Sequence, residues 1–412
     1  MKLADMFEQI VGDGSGVRFV AYDGSSAGPK DAEATIDLRS PIGLRYIATA
    51  PGDLGLARAF VTGHLDVEGD LHFALGSLLG GIRQDVGWSD RAELLRALGT
   101  SALRPPPRPV EEAPPPLRRG RRHSKARDAA AIQHHYDVSN LFYSLVLGPT
   151  MAYTCAVYAT PDTSLEDAQA EKFDLVCRKL GLQPGMRLLD VGCGWGGMAK
   201  HAAQNYGVSV LGVTLARQQA EWGAKAIADA GLEGKAEIRH SDYRDVRERD
   251  FDAVSSIGLT EHIGLANLPG YFSFLAGRLR PGGRLLNHSI TRPTGLETAR
   301  AGGFIDRYVF PDGELEGVGT IADAMNNHGF EIRHEENLRE HYALTLRDWS
   351  ANLDARWSDA VAEVGAGRAR VWRLYLAGSR VGFEKNHIQL HQILGVKLGP
   401  DAASGMALRP DF

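Results

Sequence analysis

Residues 188–197, Leu-Leu-Asp-Val-Gly-Cys-Gly-Trp-Gly-Gly, constrain the fold more than any other stretch of the chain. They read as a buried apolar strand that breaks into alternate glycines and reopens as a helix, the arrangement with which α/β enzymes hold a nucleotide-like ligand. Glycine at 192, 194 and 196 lets the backbone turn tightly and approach a ligand that side chains would exclude, with the first N–H groups of the following helix pointed at it. A lone glycine turn does not choose the ligand. A dinucleotide site would present an Asp or Glu about 20 residues on for a ribose hydroxyl, whereas the next predicted strand, Val208 to Val213, ends in Thr214 and Leu215. That difference points away from NAD and towards S-adenosylmethionine. A further strand is predicted at Phe251–Ile257 and another after the turn Arg280-Pro-Gly-Gly. From about Glu171 to Leu346 the chain therefore reads as βαβ units forming a mainly parallel sheet.

The chain is long for one core: 412 residues, 43% hydrophobic and 24% charged, predict a two-domain globular protein. Residues 1–103 carry their own strands, Gly16 to Tyr22 and Ile36 to Leu38, and a helix from Leu54 to Val61. This small α+β domain shows no clustered acid, base and nucleophile, so lipid binding or assembly is its expected work. Seven of the 19 prolines fall between Arg104 and Pro116, a stretch expected to be extended and outside any packed core. The basic block 117–127, Leu-Arg-Arg-Gly-Arg-Arg-His-Ser-Lys-Ala-Arg, follows directly and completes a linker over 104–127. It is either a solvated linker or a patch that adsorbs to anionic lipid at ~1 kcal/mol per cation. It lacks the interleaved aromatics that would stack nucleic-acid bases, and the net charge of −5 gives no general pull towards nucleic acid. A catalytic domain is expected over 128–412, closed by helices in Val371 to Lys397.

No apolar run approaches the roughly 20 residues that span a bilayer, and the opening Met-Lys-Leu-Ala-Asp-Met-Phe-Glu has charges where a signal peptide has its apolar core. A cytoplasmic address is expected. Cys155, Cys177 and Cys193 are odd in number and lack CxxC spacing, which supports neither a disulfide framework nor structural zinc. His134 and His135 are adjacent, with no third ligand nearby, so no metal site is predicted.

Several further motifs follow in order: His134-His-Tyr-Asp-Val-Ser-Asn, Met151-Ala-Tyr-Thr-Cys-Ala, Val213-Thr-Leu-Ala-Arg-Gln-Gln, Thr260-Glu-His-Ile-Gly and Leu286-Asn-His-Ser-Ile. With the glycine turn they give a pattern that resembles the cyclopropane-fatty-acid synthase family of S-adenosylmethionine-dependent methyltransferases over nearly the whole chain. The runs Phe304-Ile-Asp-Arg-Tyr-Val-Phe and Asn337-Leu-Arg-Glu-His-Tyr are most similar to actinobacterial members that begin 10-methyl fatty acid synthesis. The resemblance implies the class I methyltransferase fold, an α/β Rossmann-like, mainly parallel seven-stranded sheet. For the cofactor it places Tyr136, Tyr153 and Thr154 near the methionine end and Gly192 and Gly194 beneath it. Thr214, Leu215 and Gln219 would surround the ribose, with Tyr243 and Arg244 by the adenine. The residue types suit these tasks, since Gln219 offers an amide and Tyr243 a flat face, although taken alone each reads as an ordinary helix-face or loop residue.

The implied reaction is methyl transfer to the cis double bond of an oleoyl-type phospholipid chain. An alkene carbon is a poor nucleophile and has no proton whose removal would improve it, so the protein must manage the carbocation that follows. That cation loses a proton to a base too weakly nucleophilic to be methylated itself. The resemblance implies bicarbonate as this general base, held by Cys155, Glu261, His288, Ile290 and Tyr342. His288, Tyr342 and the Ile290 backbone N–H would donate, while Glu261 orients His288 or takes the proton onward. Glu261 and His288 are expected just past the ends of two successive strands. Taken alone, Cys155 reads as a small buried apolar residue and His288 as a satisfied core histidine.

Ring closure on the new methyl gives a cyclopropane, whereas a hydride shift before proton loss gives an exocyclic 10-methylene. The actinobacterial likeness favours the methylene, with a flavin-dependent reductase as partner. Phe304, Ile305, Tyr308 and Phe310, with Tyr271, Phe272 and Phe274, read either as an acyl-channel wall or as core. Ser379 stands where many family members carry a cysteine, so a thiol there is dispensable. An oligomer on the inner face of the cell membrane, with phospholipid rather than nucleic acid as partner, completes the expectation. A nucleic-acid N-methyltransferase would show Asn/Asp-Pro-Pro-aromatic where this chain has Gly258-Leu-Thr-Glu-His, and a lipid-binding protein without catalysis would leave the cofactor motifs idle.

Overall fold

The computed structural model describes residues 2–11, 16–50, 52–81, 105–113, 138–293, 302–310 and 313–412. The basic block 117–127 and residues His134, His135 and Tyr136 lie outside them. The chain divides into two compact units, one drawn from 1–116, 301–311 and 353–381, the other from 117–300, 312–352 and 382–412.

In the first unit α1 (Leu3–Val11), β1 (Val17–Ala21), β2 (Ser26–Ala27) and β3 (Ala34–Leu38) lead into α2 (Pro41–Thr49) and α3 (Asp53–Val61). β4 (Leu65–Gly69) and α4 (Leu71–Gly81) follow. The sheet order is β2-β1-β3-β4, parallel between β1 and β3 and antiparallel elsewhere. Alternate residues of β1 and β3 are buried, the period expected of strands with one covered face. Val17, Phe19, Ile36 and Leu38 join Leu44, Tyr46 and Phe60 in its core.

Two segments join this unit that the sequence reading had assigned elsewhere. The proline-rich stretch was expected to stay out of any core, yet Pro107 O accepts from Tyr46 Oη at 2.6 Å and the side chain of Glu112 is buried on a bidentate Arg58. Proline removes backbone donors but leaves every carbonyl and side chain free to bond, which is how the stretch is tied down. The aromatic run at 303–310, read as a channel wall or core, packs within this unit. Phe304 N–H donates to Asp53 Oδ2, Tyr308 is buried beside Glu112, and Phe310 meets Tyr375 edge-on. The boundary expected at 128–412 is thus interrupted twice.

The second unit holds α5 (Asn140–Leu147), α6 (Leu165–Leu180), β5 (Arg187–Val191), α7 (Gly197–Tyr206), β6 (Ser209–Thr214), α8 (Arg217–Asp229) and β7 (Ala236–His240). β8 (Phe251–Ile257), α9 (Leu268–Arg278), β9 (Leu279–Thr291), α10 (Val318–Asn327), β10 (Glu331–Asn337), α11 (Arg339–Ala355) and β11 (Gln389–Val396) complete it. The order is β10-β11-β9-β8-β5-β6-β7, parallel from β9 through β7 and antiparallel at β11 and β10. Leu188 and Leu189 turn to opposite faces and enter two different cores, one with Phe173 and Met198, the other with Phe272 and Met325.

Val371 to Lys397 was expected to be helical throughout, but helix ends at Glu384 and Gln389–Val396 forms a strand between β9 and β10. Its residues are buried on both faces, a pattern that periodicity does not separate from a buried helix. Tyr271 and Phe272 are core residues, almost wholly buried, with Tyr271 Oη 2.6 Å from Ser256 Oγ, and so form no channel wall. The strand order reverses at β5, which places a crevice beyond the carboxyl ends of β5, β6 and β8.

Candidate active site

At that crevice Gly192, Gly194 and Gly196 all have positive φ, at 75°, 54° and 81°, which allows the chain to leave β5 and enter α7 in a few residues. A cleft opens there, lined by Gly192, Gly194, Thr214, Leu215, Gln219 and Tyr243, six of the residues expected at the cofactor. Ser241, Leu259 and His262 line it as well. Thr214 Oγ1 donates to Gln219 Oε1 at 2.9 Å, which fixes the amide and leaves Nε2 buried with no partner among the described residues. An orphaned buried donor of this kind costs free energy unless a ligand accepts from it. Tyr243 is braced edge-on by Tyr271 and Phe274. Arg244 forks onto Asp242 at 2.8 and 2.6 Å. Tyr153 and Thr154 are not in the lining; Tyr153 packs on Tyr143 and Trp349, and Thr154 Oγ1 accepts from Lys172 Nζ at 2.9 Å.

Past β8 the chain turns at Gly258 and forms a short 3-10 turn, Thr260–His262, pinned by Thr260 Oγ1 donating to Asn287 Oδ1 at 2.5 Å. The turn carries Glu261. Its Oε1 accepts the Ile290 N–H at 2.6 Å, while Oε2 is buried with no partner among the described residues. Burial pushes this carboxyl up to about 7, against the pull of the backbone N–H bonds. His288 lies inside β9, level with Ile257 at the end of β8, and not past the strand end as expected. It is wholly buried, with Nδ1 3.2 Å from the Gln392 amide and Nε2 without a partner among the described residues. Burial first, then the charges of Lys172 and Lys179, holds its pKa well below the ordinary histidine value, so the ring is neutral.

Backbone bonds tie the remaining members of the expected set to this point. Ile290 is paired with Leu390, whose O accepts from Leu338 N–H. Leu338 O in turn accepts from Tyr342 N–H and from the Cys155 thiol at 3.7 Å. Tyr342 stacks on Phe383 at 4.4 Å between centroids. Burial raises the Cys155 pKa far above the ordinary thiol value, so the sulfur stays protonated. Cys193 packs against Gly212.

Three further charged residues stand here, none of them expected from the sequence. Asp190, at the end of β5, accepts from Ser255 Oγ at 2.7 Å, has no partner for Oδ2 among the described residues and is lifted by burial to about 6. Lys172 is buried over the Phe173 ring and lowered by burial to about 7. Lys179 is buried as well and reaches Glu336 and Gln392. Gln169, Lys172 and Lys179 occupy the apolar stripe of α6 alongside Leu165, Val176 and Leu180. Polar residues on a stripe are the signal that would have found them. Among the described residues no group of His, Cys, Asp and Glu could hold a metal ion, and no helix is long and apolar enough to cross a membrane.

The model of the mycolic acid cyclopropane synthetase family matches residues 123–393. A protein described as a probable fatty acid methyltransferase of Mycobacterium tuberculosis is 53% identical over 419 residues, covering 100% of this chain and 98% of its own length. The cyclopropane-fatty-acyl-phospholipid synthase of Escherichia coli K12 is 36% identical over 273 residues, 66% of this chain and 69% of its own. Among solved structures, the mycolic acid cyclopropane synthase CmaA1 complexed with SAH and CTAB is 34% identical with a TM-score of 0.62, covering 65% of this chain and 98% of that one.

Proposed function

Because the chain belongs to the mycolic acid cyclopropane synthetase family, we propose that it methylates the cis double bond of an oleoyl-type phospholipid chain and leaves an exocyclic 10-methylene group. The fold is that of class I S-adenosylmethionine-dependent methyltransferases, and the chain is an enzyme of that kind. The observation that carries the finer reading is that Glu261 Oε2 and His288 Nε2 are both buried without a partner among the described residues, Glu261 standing next in the chain to His262 of the cleft lining. A carbocation in an apolar site must shed a proton to a group held there, and these two buried groups can hold one.

When bound, S-adenosylmethionine supplies an electrophilic methyl group. Gly192 and Gly194 would let the backbone approach it, the Gln219 amide would donate to it, and Tyr243 would offer a ring face. On the lipid, the alkene electron pair would form the new carbon–carbon bond as the methyl's bond to sulfur breaks, a hydride would shift from the methylated carbon to the neighbouring cation, and a proton would pass from the added methyl to the base. Bicarbonate suits the two orphaned groups, having both an O–H to donate and oxygens to accept, and would supply a weakly nucleophilic base held by Glu261, His288, Tyr342 and Cys155; the Ile290 N–H, expected to donate to it as well, is spent on Glu261 Oε1 and acts by fixing that carboxyl. The protonated Cys155 thiol avoids competing for the methyl group.

The relative at 53% identity is named a fatty acid methyltransferase and the one at 36% a cyclopropane synthase; the methylene reading rests on the actinobacterial likeness of residues 304–310 and 337–342. A lipid substrate places the protein on a membrane surface, and a methylene product calls for a flavin-dependent reductase to complete a 10-methyl chain. The test supplies the purified protein with S-adenosylmethionine and vesicles of either dioleoyl or dipalmitoyl phospholipid. A gain of one CH₂ per modified chain is expected from the first only. Gain from the saturated lipid, or from neither, overturns the reading.

A further inference from the structure

Gln392 stands directly across from His288 in the antiparallel β9/β11 pair, and its side-chain amide lies between two groups that leave it one orientation. On one side is Lys179 Nζ, 2.7 Å from Gln392 Oε1. An amine nitrogen in this ion pair donates and does not accept, so the amide must present its oxygen there. Lys179 is itself held by Glu336 on its far side. The amide NH₂ is therefore turned to the other neighbour, His288 Nδ1, at 3.2 Å. Both amide hydrogens are donors, so Nδ1 must accept. A neutral imidazole that accepts at Nδ1 carries its proton on Nε2. The tautomer follows from the partners and does not depend on how the amide was oriented.

We propose that Lys179 and Gln392 are positioning residues that lock His288 in the Nε2–H form, so that its buried and otherwise unpartnered Nε2 donates to the oxyanion of the proton-accepting base. The proposal rests on the anion site argued above. The opposite tautomer would aim a lone pair at that anion, and a fixed imidazole in the wrong tautomer is known to cost an enzyme up to about 10⁴-fold in turnover. The two residues have different tasks. Gln392 supplies the hydrogen bond, and Lys179 sets its direction, because without the lysine the amide is free to reverse and accept from an Nδ1–H.

The test is a two-bond proton–nitrogen NMR spectrum of the whole protein labelled with [¹⁵N]histidine, recorded without lipid. The His288 signals are identified by their loss in His288→Asn and, independently of that variant's folding, by their movement in Gln392→Glu. The wild-type ring is expected to show the Nε2–H pattern. Gln392→Glu preserves shape and the bond to Lys179 but replaces the donor with an acceptor, so its ring should show the Nδ1–H pattern. Its kcat should fall about 100-fold, with S-adenosylmethionine affinity within about twofold. Lys179→Met should give the Nδ1–H pattern or a mixture. An Nδ1–H ring in the wild type, or an unchanged tautomer in Gln392→Glu, overturns the proposal. The spectrum needs no turnover, so a protein that left dioleoyl lipid untouched would refute the proposed function and leave this result to be read by itself.

Discussion

Glu261 accepts the Ile290 N–H through Oε1 at 2.6 Å and keeps Oε2 buried without a partner among the described residues, so one carboxyl both anchors the turn after β8 and presents a second oxygen. Burial raises it to about 7, which makes it a group able to change protonation near neutral pH. Glu261→Gln preserves the bond from Ile290 and removes that capacity. Turnover should fall by about 10²-fold or more while cofactor affinity, measured by calorimetry, stays within about twofold. Full activity in this variant would remove Glu261 from the chemistry.

The same shift makes a stability prediction. The carboxyl titrates near 4.5 when unfolded and about 7 when folded. Between those values the unfolded chain gives up a proton that the folded chain keeps, so this group lowers stability as pH rises through the window. The loss is complete above about pH 7 and is on the order of 3 kcal/mol. Glu261→Gln should therefore raise the urea midpoint at pH 8 and leave it nearly unchanged at pH 4. An equal shift at both pH values would contradict the assignment.

At the cofactor cleft, Gln219 keeps its Nε2 ready only because Thr214 holds the other end of the amide. Gln219→Leu should weaken S-adenosylmethionine binding by about 10-fold to 100-fold, measured by calorimetry, with the melting temperature of the free protein unchanged or raised. An unaltered Kd would move the ribose site elsewhere.

In the first unit Glu112 is buried against Arg58, which closes the proline-rich stretch onto α3. Arg58→Leu strands a buried carboxylate and should cost about 3–5 kcal/mol, seen as a lower melting temperature. Replacing both residues, Arg58→Leu with Glu112→Leu, should recover much of the loss. A single variant as stable as the parent would mean that the pair is solvent-screened.

Strands read from apolar runs and glycines agree with the structure to within a residue or two: Phe251–Ile257 is β8, and Val208–Val213 is displaced by one from β6. Local chemistry fixes such elements, because a buried parallel strand needs the apolar run and the turn needs glycine. Gln389–Val396 escaped since its pairing with β9 and β10 is non-local, and nothing in eight consecutive residues announces two neighbours. The glycine turn was legible because a buried strand that breaks into alternate glycines announces itself locally; Gln219 and Tyr243, which line the same cleft, came only from the family resemblance, since each alone reads as an ordinary helix or loop residue. Lys172 and Lys179 show only as polar residues on the apolar stripe of α6, and Gln392 not at all, because its bond to Lys179 spans 213 residues. The attachment of 303–310 to the first unit is likewise a tertiary fact, carried by single contacts such as Phe304 to Asp53.

The most direct test of the central claim is a proton NMR spectrum of acyl chains extracted after the protein has acted on dioleoyl phospholipid with S-adenosylmethionine. Mass does not decide it, since both products gain one CH₂. Vinylidene signals are the predicted result and identify a methylene-forming enzyme whose product awaits reduction. Upfield cyclopropane ring protons would contradict the account and make the chain a ring-forming synthase.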